Sequence, residues 1–244
     1  MNIQTTIDQL KSLRLHGMAS RYEAAASLSA AQQEDAHTLL AMLVEAEQEH
    51  RQHTRTTRLL RDSRLRYNAV AEEVLCSVER GLTKEQLLRV CDTHLITKGE
   101  NVLIVGATGV GKSHLACALG RNACLKGIRT LYFNMNKFLE ELTAAHLEGS
   151  YMKWLKRLAR TELLILDDFG IKPLDQNART ALLDILEDRY AMASVIITSQ
   201  LPIEKWHPFI GDTSDLTLAD AIMDRLSASA HYIQLKGDSL RRKK

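Results

Sequence analysis

Eight consecutive residues carry the clearest chemistry in the chain: Gly106, Ala107, Thr108, Gly109, Val110, Gly111, Lys112 and Ser113. They fit GxxxxGK[ST], in which glycines let backbone N–H groups curl around phosphate oxygens at a helix N-terminus. In that frame Lys112 reaches the β- and γ-phosphates, the Ser113 hydroxyl ligates Mg²⁺, and His114 completes the loop's contact with a nucleotide. Further on, an apolar run over 163–166 ends in Asp167 and Asp168. Asp167 suits a Mg²⁺ shell, and Asp168 suits orienting or deprotonating an attacking water. Asp168, Phe169 and Gly170 also spell the kinase DFG, but no VAIK-type strand or HRD loop accompanies them.

These residues need a scaffold, and the hydrophobic pattern describes one. From residue 101 short apolar runs over 102–105, 130–134, 163–166, 195–198 and 231–235 alternate with helical stretches over 112–126, 136–146, 150–160, 175–190 and 217–229. Short apolar strands separated by helices imply an α/β fold, a five-stranded parallel sheet with helices on both faces. Residues 1–70 hold no proline and no alternating pattern, so they read as a small all-helical domain. Leu10, Leu13 and Met18 mark its first helix; Ser29 and Gln32 form a capping box for a second that carries Leu39, Leu40 and Leu43 into an arginine-rich stretch. Residues 71–96 read as a helical connection with a break at Gly81, and 97–244 as the nucleotide-binding domain.

The chain has 244 residues, 45% of them apolar and 25% charged, which excludes collagen-like, low-complexity and fully disordered classes. No apolar run reaches the ~18 residues of a membrane span, so no membrane partner is expected. Cys76, Cys91, Cys117 and Cys124 lack CxxC spacing and read as reduced thiols of a cytoplasmic protein.

The net charge of +2 conceals local excess. Arg51, Arg55, Arg58, Arg61, Arg64 and Arg66 face a single acid, Asp62. On a helical wheel all but Arg64 fall within an arc of about 140°. A one-sided arginine stripe suits the DNA backbone, where each phosphate contact releases counterions without reading sequence. A second basic segment holds Tyr151, Lys153, Trp154, Lys156 and Arg157, either a DNA-facing helix or a solvated amphipathic one.

The chain resembles the AAA+ ATPases of the IstB/DnaC group, and within it the IstB-type helpers of insertion-sequence transposition. The resemblance rests on GATGVGKSHLACALG, LLILDDFG, DILEDRY, VIITSQLPIEKWH, ADAIMDRL and GDSLR, with LKSLRLHGMASRY near the start, and so spans nearly the whole chain. It implies ATP hydrolysis with Mg²⁺, a homo-oligomer with ATP held between subunits, assembly on double-stranded DNA, and service to a transposase in selecting target DNA. The alternative is a DnaC-type helicase loader, whose N-terminal helices would grip a protein ring. Gln200 stands where such proteins place the polar sensor of the γ-phosphate or lytic water, though Asn is commoner there; a solvated strand end is the other reading. Arg225 stands where they place an arginine finger reaching a neighbouring subunit's nucleotide, unless it pairs locally with Asp220 or Asp224. Arg189 fits the same interface or a local pair with Glu187 or Asp188. Two departures stand out: Asp-Asp replaces the usual Asp-Glu, which suggests slow, switch-like turnover. The usual C-terminal lid is absent, so Arg241 is either a substitute second sensor or part of a basic tail.

Overall fold

The structure, a computed structural model, describes residues 2–28, 34–211 and 216–240. They fall into two compact units, Met1–Arg58 and Leu59–Lys244.

The first unit is helical, as its composition implies. Helices α1 (Ile3–Ser12) and α2 (His16–Ala26) replace the single helix expected through Leu10 and Met18. The chain breaks because Arg14 takes a left-handed φ of 60°, which ends the α-helical ladder. The long α3 (Ala36–Asp62) starts at Asp35, whose carboxylate accepts from the backbone N–H groups of His37 and Thr38. The capping box expected at Ser29 and Gln32 lies outside the described residues. Helices α2 and α3 touch at Gly17, where a Cβ would stand 2.3 Å from the Ala46 carbonyl oxygen. Beside it the buried Glu47 carboxylate accepts from the Gly17 N–H at 2.8 Å.

The second unit begins earlier than residue 71, because residues 59–70 pack on its sheet. Ser63 accepts from the Tyr132 N–H at 2.9 Å, Leu65 reaches to 2.8 Å of where a Gly120 Cβ would be, and Ala69 is wholly buried. Then come a 3₁₀ turn (Ala71–Glu73), a tight bridge between Ser77 and Leu82, and the short helices α4 (Lys84–Val90) and α5 (His94–Thr97). The helical connection expected over 71–96 is therefore helical over about half its length, with turns and the Ser77–Leu82 bridge between the short helices. Thr83 and Gln86 form the capping box that starts α4.

The five strands are β1 (Asn101–Gly106), β2 (Thr130–Asn134), β3 (Leu163–Phe169), β4 (Ser194–Ser199) and β5 (Ala230–Leu235). They are parallel throughout, in the order β2-β3-β4-β1-β5. The intervening helices are α6 (Lys112–Leu125), α7 (Met135–Leu147), α8 (Tyr151–Ala159), α9 (Gln176–Arg189), α10 (Trp206–Ile210) and α11 (Leu216–Ser227). Strands β1 to β4 are buried on both faces because both are covered, whereas β5 at the sheet edge buries only Ile233 and Leu235. Leu103, Val105, Leu164 and Leu166 pack with Phe138, Trp154, Ile185 and Ile222, whereas Val102, Ile104 and Ile165 pack with Leu115, Leu119 and Ala69. Helix α10 has no counterpart in the pattern reading; its Trp206 is fully buried and donates from its indole to the Leu201 carbonyl at 2.9 Å.

Candidate nucleotide-binding site

The end of β1 and the start of α6 build the phosphate loop. Gly106, Gly109 and Gly111 have φ of 151°, 86° and 101°, values that strain any side-chain-bearing residue. Space enforces the choice as well: a Cβ on Gly106 would meet the Leu235 carbonyl oxygen at 2.3 Å. Gly111 caps α6 with no side chain bonded to its first N–H groups, which leaves those donors and the positive helix end for an anion. Lys112 is only 5% exposed, and its ammonium donates to the Gly106 and Ala107 carbonyls at 2.9 and 2.8 Å.

The acidic pair sits on β3, which runs two residues beyond Asp167 through a bulge between Leu166 and Phe169. Asp167 is wholly buried and accepts from the Tyr132 hydroxyl at 2.6 Å and from the Thr198 hydroxyl. Asp168 has a left-handed φ of 63° and turns its carboxylate to the Asn134 amide at 2.9 Å. Thr198 also accepts from the Asp168 N–H at 3.1 Å, so one hydroxyl ties both aspartates to β4. Burial, then the charge of Asp167, holds the Asp168 carboxyl above the usual carboxylate range, against the pull of Arg66 and Lys112. Burial and the bond to Asp167 push the Tyr132 phenol well up, so it stays a neutral donor.

Gln200 follows β4, and its side-chain oxygen accepts from the Thr108 hydroxyl at 2.6 Å. A cavity of about 460 Å³ runs between these parts. Its polar end holds Thr108 to His114, Asp168 and Gln200; its apolar end holds Val74, Leu75, Leu82, Leu235 and Leu240. Ser113 and Asp167 supply hard oxygen donors of the kind Mg²⁺ takes, and no group of three or more His, Cys, Asp or Glu forms a separate metal site among the described residues. The sequence reading missed the apolar end together with Tyr67 and Arg80, which also line the cavity. Arg80 donates to the Val110 carbonyl at 2.7 Å. Its only legible signal was the tight turn at Gly81, with φ of 70°.

Several expected residues sit elsewhere. Arg66 is not on the arginine stripe, because α3 stops at Asp62 and the chain turns at Arg64, with φ of 57°. Its guanidinium instead stands 3.9 Å from the Asp167 carboxylate and 3.8 Å from that of Asp168. Arg189 is held inside its own fold rather than in a local pair with Glu187 or Asp188. It is 2% exposed and donates to the carbonyls of Leu158, Thr161, Glu162 and Ser194. Arg225 lies outside the cavity, paired with Asp224 at 2.7 Å and Glu187 at 3.0 Å, and over the Tyr190 ring at 4.9 Å. Asp220 pairs with His207 instead.

Of the basic residues on α3, Arg51 pairs with Glu47 and Arg61 with Asp62; Arg55 and Arg58 are exposed. On α8, Lys153 and Lys156 face solvent, Arg157 pairs with Glu141 at 2.6 Å, and Trp154 is buried against Phe138. Arg241 lies outside the described residues. Among those residues all four cysteines are free thiols, and no helix is long and apolar enough to cross a membrane.

Comparison with known proteins agrees with this geometry. An insertion sequence ATP-binding protein of Sinorhizobium fredii, y4pL, is 41% identical over 97% of this chain and 96% of its own length. The ATP-binding protein of insertion sequence IS1162 from Pseudomonas fluorescens is 39% identical over 83% of this chain and 88% of its own. The crystal structure of the DnaC helicase loader shares the fold, with a TM-score of 0.55 and 24% identity over 70% of this chain and 98% of that one. The family model described as IstB-like ATP binding protein matches residues 8–244, phosphate loop, acidic strand and helical N-terminus together, and the chain belongs to that family.

Proposed function

We propose that the chain is an ATP-hydrolysing assembly factor of insertion-sequence transposition, which forms a homo-oligomer on duplex DNA and presents that DNA to a transposase. The observation that carries this reading is the grouping of Lys112, Ser113, Asp168 and Gln200 around one cavity while Arg225 lies outside it. ATP fits the cavity by charge at one end and apolar lining at the other. Ser113 and Asp167 would hold Mg²⁺, which supplies charge neutralisation at the phosphates. Lys112 gives up its two carbonyl partners for the phosphates, Gln200 and Asp168 position the water, and Asp168 accepts its proton. Arg225 releases Glu187 and Asp224 to complete the site of a second copy, an exchange that ties hydrolysis to assembly. Asp168, one methylene shorter than a glutamate, holds the water less firmly, so turnover is slow and acts as a switch.

DNA meets the exposed arginines of α3 and Lys153 and Lys156 of α8 through its backbone, and target choice follows shape and deformability rather than base sequence. Particle mass by light scattering, with ATP or ADP and with or without duplex, tests the reading. A large assembly that needs both ATP and duplex, weakens steeply with salt and is abolished in Lys112→Ala is the expected result. Assembly indifferent to duplex would overturn it and point to a protein ring as the partner.

A further inference from the structure

Lys112 holds the carbonyls of Gly106 and Ala107, but two later carbonyls of the phosphate loop are held by residues remote in the chain. The Val110 carbonyl accepts from the Arg80 guanidinium at 2.7 Å, and the Gly109 carbonyl accepts from the Leu240 N–H at 3.0 Å. The two donors belong to one bracket. Arg80 sits in the turn bridged by Ser77 and Leu82, and its own carbonyl accepts from the Lys236 N–H at 2.9 Å, just beyond β5. Gly81 allows that approach, because a Cβ there would collide with the Gln234 carbonyl oxygen. Gly237, at φ of 103°, then carries the chain across the loop. Ser239 lies so close to Gly109 that a Cβ on that glycine would stand 2.8 Å from the serine Cβ.

A peptide unit is planar, and in its trans form the carbonyl and the following N–H point in opposite directions. The peptide bonds of the described residues are trans. The Val110 carbonyl therefore shares its plane with the Gly111 N–H, and the Gly109 carbonyl with the Val110 N–H. Carbonyls drawn toward Arg80 and Leu240 turn both N–H groups to the opposite side. These planes need an outside hold, since each adjoins a glycine, Gly109 or Gly111, with no Cβ to restrict rotation. A rotated unit would present an oxygen to a phosphate where an N–H belongs. No side chain caps the start of α6 at this point, so the backbone donors are what an anion meets there.

We infer that Arg80 and the Leu240 N–H are positioning groups of the phosphate loop, which aim the Gly111 and Val110 N–H groups at the phosphates of a bound nucleotide. They act through the two peptide planes and need not touch a phosphate themselves. Both also line the nucleotide cavity, so the segment beyond β5 serves the loop and the apolar end together. The inference rests on reading that cavity as a nucleotide site and deepens it. Phosphate recognition depends on a turn before α4 and on a segment after β5, neither of which belongs to the GxxxxGK[ST] motif.

The experiment uses the full chain, titrated with ADP and with adenosine, and follows the backbone amides by NMR. Arg80→Met frees the Val110 carbonyl, and Leu240→Pro removes the N–H that holds Gly109. Leu240→Ala keeps that N–H and trims only the side chain. In Arg80→Met and Leu240→Pro the affinity for ADP should fall roughly tenfold relative to that for adenosine, as for one weakened bond to a charged group. Arg80→Lys should recover most of the loss, and Leu240→Ala should weaken ADP and adenosine alike. ADP should shift the Val110 and Gly111 amide resonances of the unmodified chain. Arg80→Met should lose the Gly111 shift and keep that of Val110, and Leu240→Pro should do the reverse. ADP and adenosine weakened equally in Arg80→Met, together with a lowered unfolding midpoint, would mark a purely structural residue and overturn the inference. Both amide shifts retained in both variants would overturn it too, leaving any loss of ADP to the arginine's charge. An unmodified chain that binds neither ligand would overturn the nucleotide reading and the inference with it.

Discussion

The guanidinium of Arg66 stands 3.9 Å from the carboxylate of Asp167, a residue 101 positions later in the chain that is wholly buried at the end of the acidic strand. It stands 3.8 Å from Asp168 as well. Both distances exceed those of charge-assisted hydrogen bonds, so Arg66 acts on the pair through its field. It also lies over the Tyr67 ring at 5.2 Å, which fixes its direction. An arginine that the sequence pattern assigns to a DNA stripe thus stands beside the acidic pair.

Arg66→Gln removes a charge that lowers the Asp168 carboxyl, while burial and Asp167 continue to raise it. The Asp168 pKa therefore rises further, and the carboxylate form is lost at a higher pH as the medium is acidified. The acid limb of ATP hydrolysis should move toward neutrality in Arg66→Gln and return in Arg66→Lys, with unfolding midpoints nearly unchanged. A pH–rate profile measures this, and an unmoved acid limb would contradict it.

Arg189 answers four carbonyls in a site 2% exposed. Burial lowers its pKa to about 10, so it remains charged near neutrality. Arg189→Met leaves those oxygens without their donors, and the second unit should lose about 3 kcal/mol or more. Urea unfolding gives the number. Unaltered stability combined with lost ATP-dependent assembly would instead restore an intersubunit role.

Gly17→Ala places a methyl group 2.3 Å from the Ala46 carbonyl oxygen and 2.7 Å from the Glu47 Cα. Both are backbone atoms and cannot swing away, so α2 and α3 must separate. The expected cost is about 1–3 kcal/mol for the first unit. Fluorescent-nucleotide affinity should be unchanged, since no residue of that unit lines the nucleotide cavity.

Burial works to raise the Glu47 carboxyl, but the bonds from Arg51, Met18 and Gly17 outweigh it and hold its pKa below the ordinary glutamate range. A depressed folded pKa means that the stabilisation is complete above the unfolded value and is lost as pH falls through the folded one. Helical signal from the first unit should therefore melt more easily on acidification below the ordinary carboxylate range. In Glu47→Gln that extra acid sensitivity should vanish, from a lower stability at neutral pH. Circular dichroism across an acid series would detect the difference, and identical acid slopes in the two proteins would refute it.

The phosphate loop, the acidic strand and the five short strands were legible in the sequence because each depends on neighbours in the chain. A glycine at left-handed φ, a lysine after it and an apolar run before it report their own local structure, and strand limits fell within a few residues of those expected. Asp168 could be located for the same reason, beside the end of a buried strand, whereas Gln200 drew its expected role from the family resemblance alone. The tertiary structure alone decided what depends on distant partners. Helical periodicity carried the arginine stripe on to Arg66, but α3 ends at Asp62, Leu65 and Ala69 pack against the sheet, and Arg66 stands beside the acidic pair. Arg189 reads as a surface charge beside Glu187 and Asp188 until four backbone carbonyls from 5 to 31 residues away close around it. The apolar end of the cavity joins Val74, Leu75 and Leu82 to Leu235 and Leu240. Sheet order set that meeting, since β5 lies beside β1 only once the chain has folded.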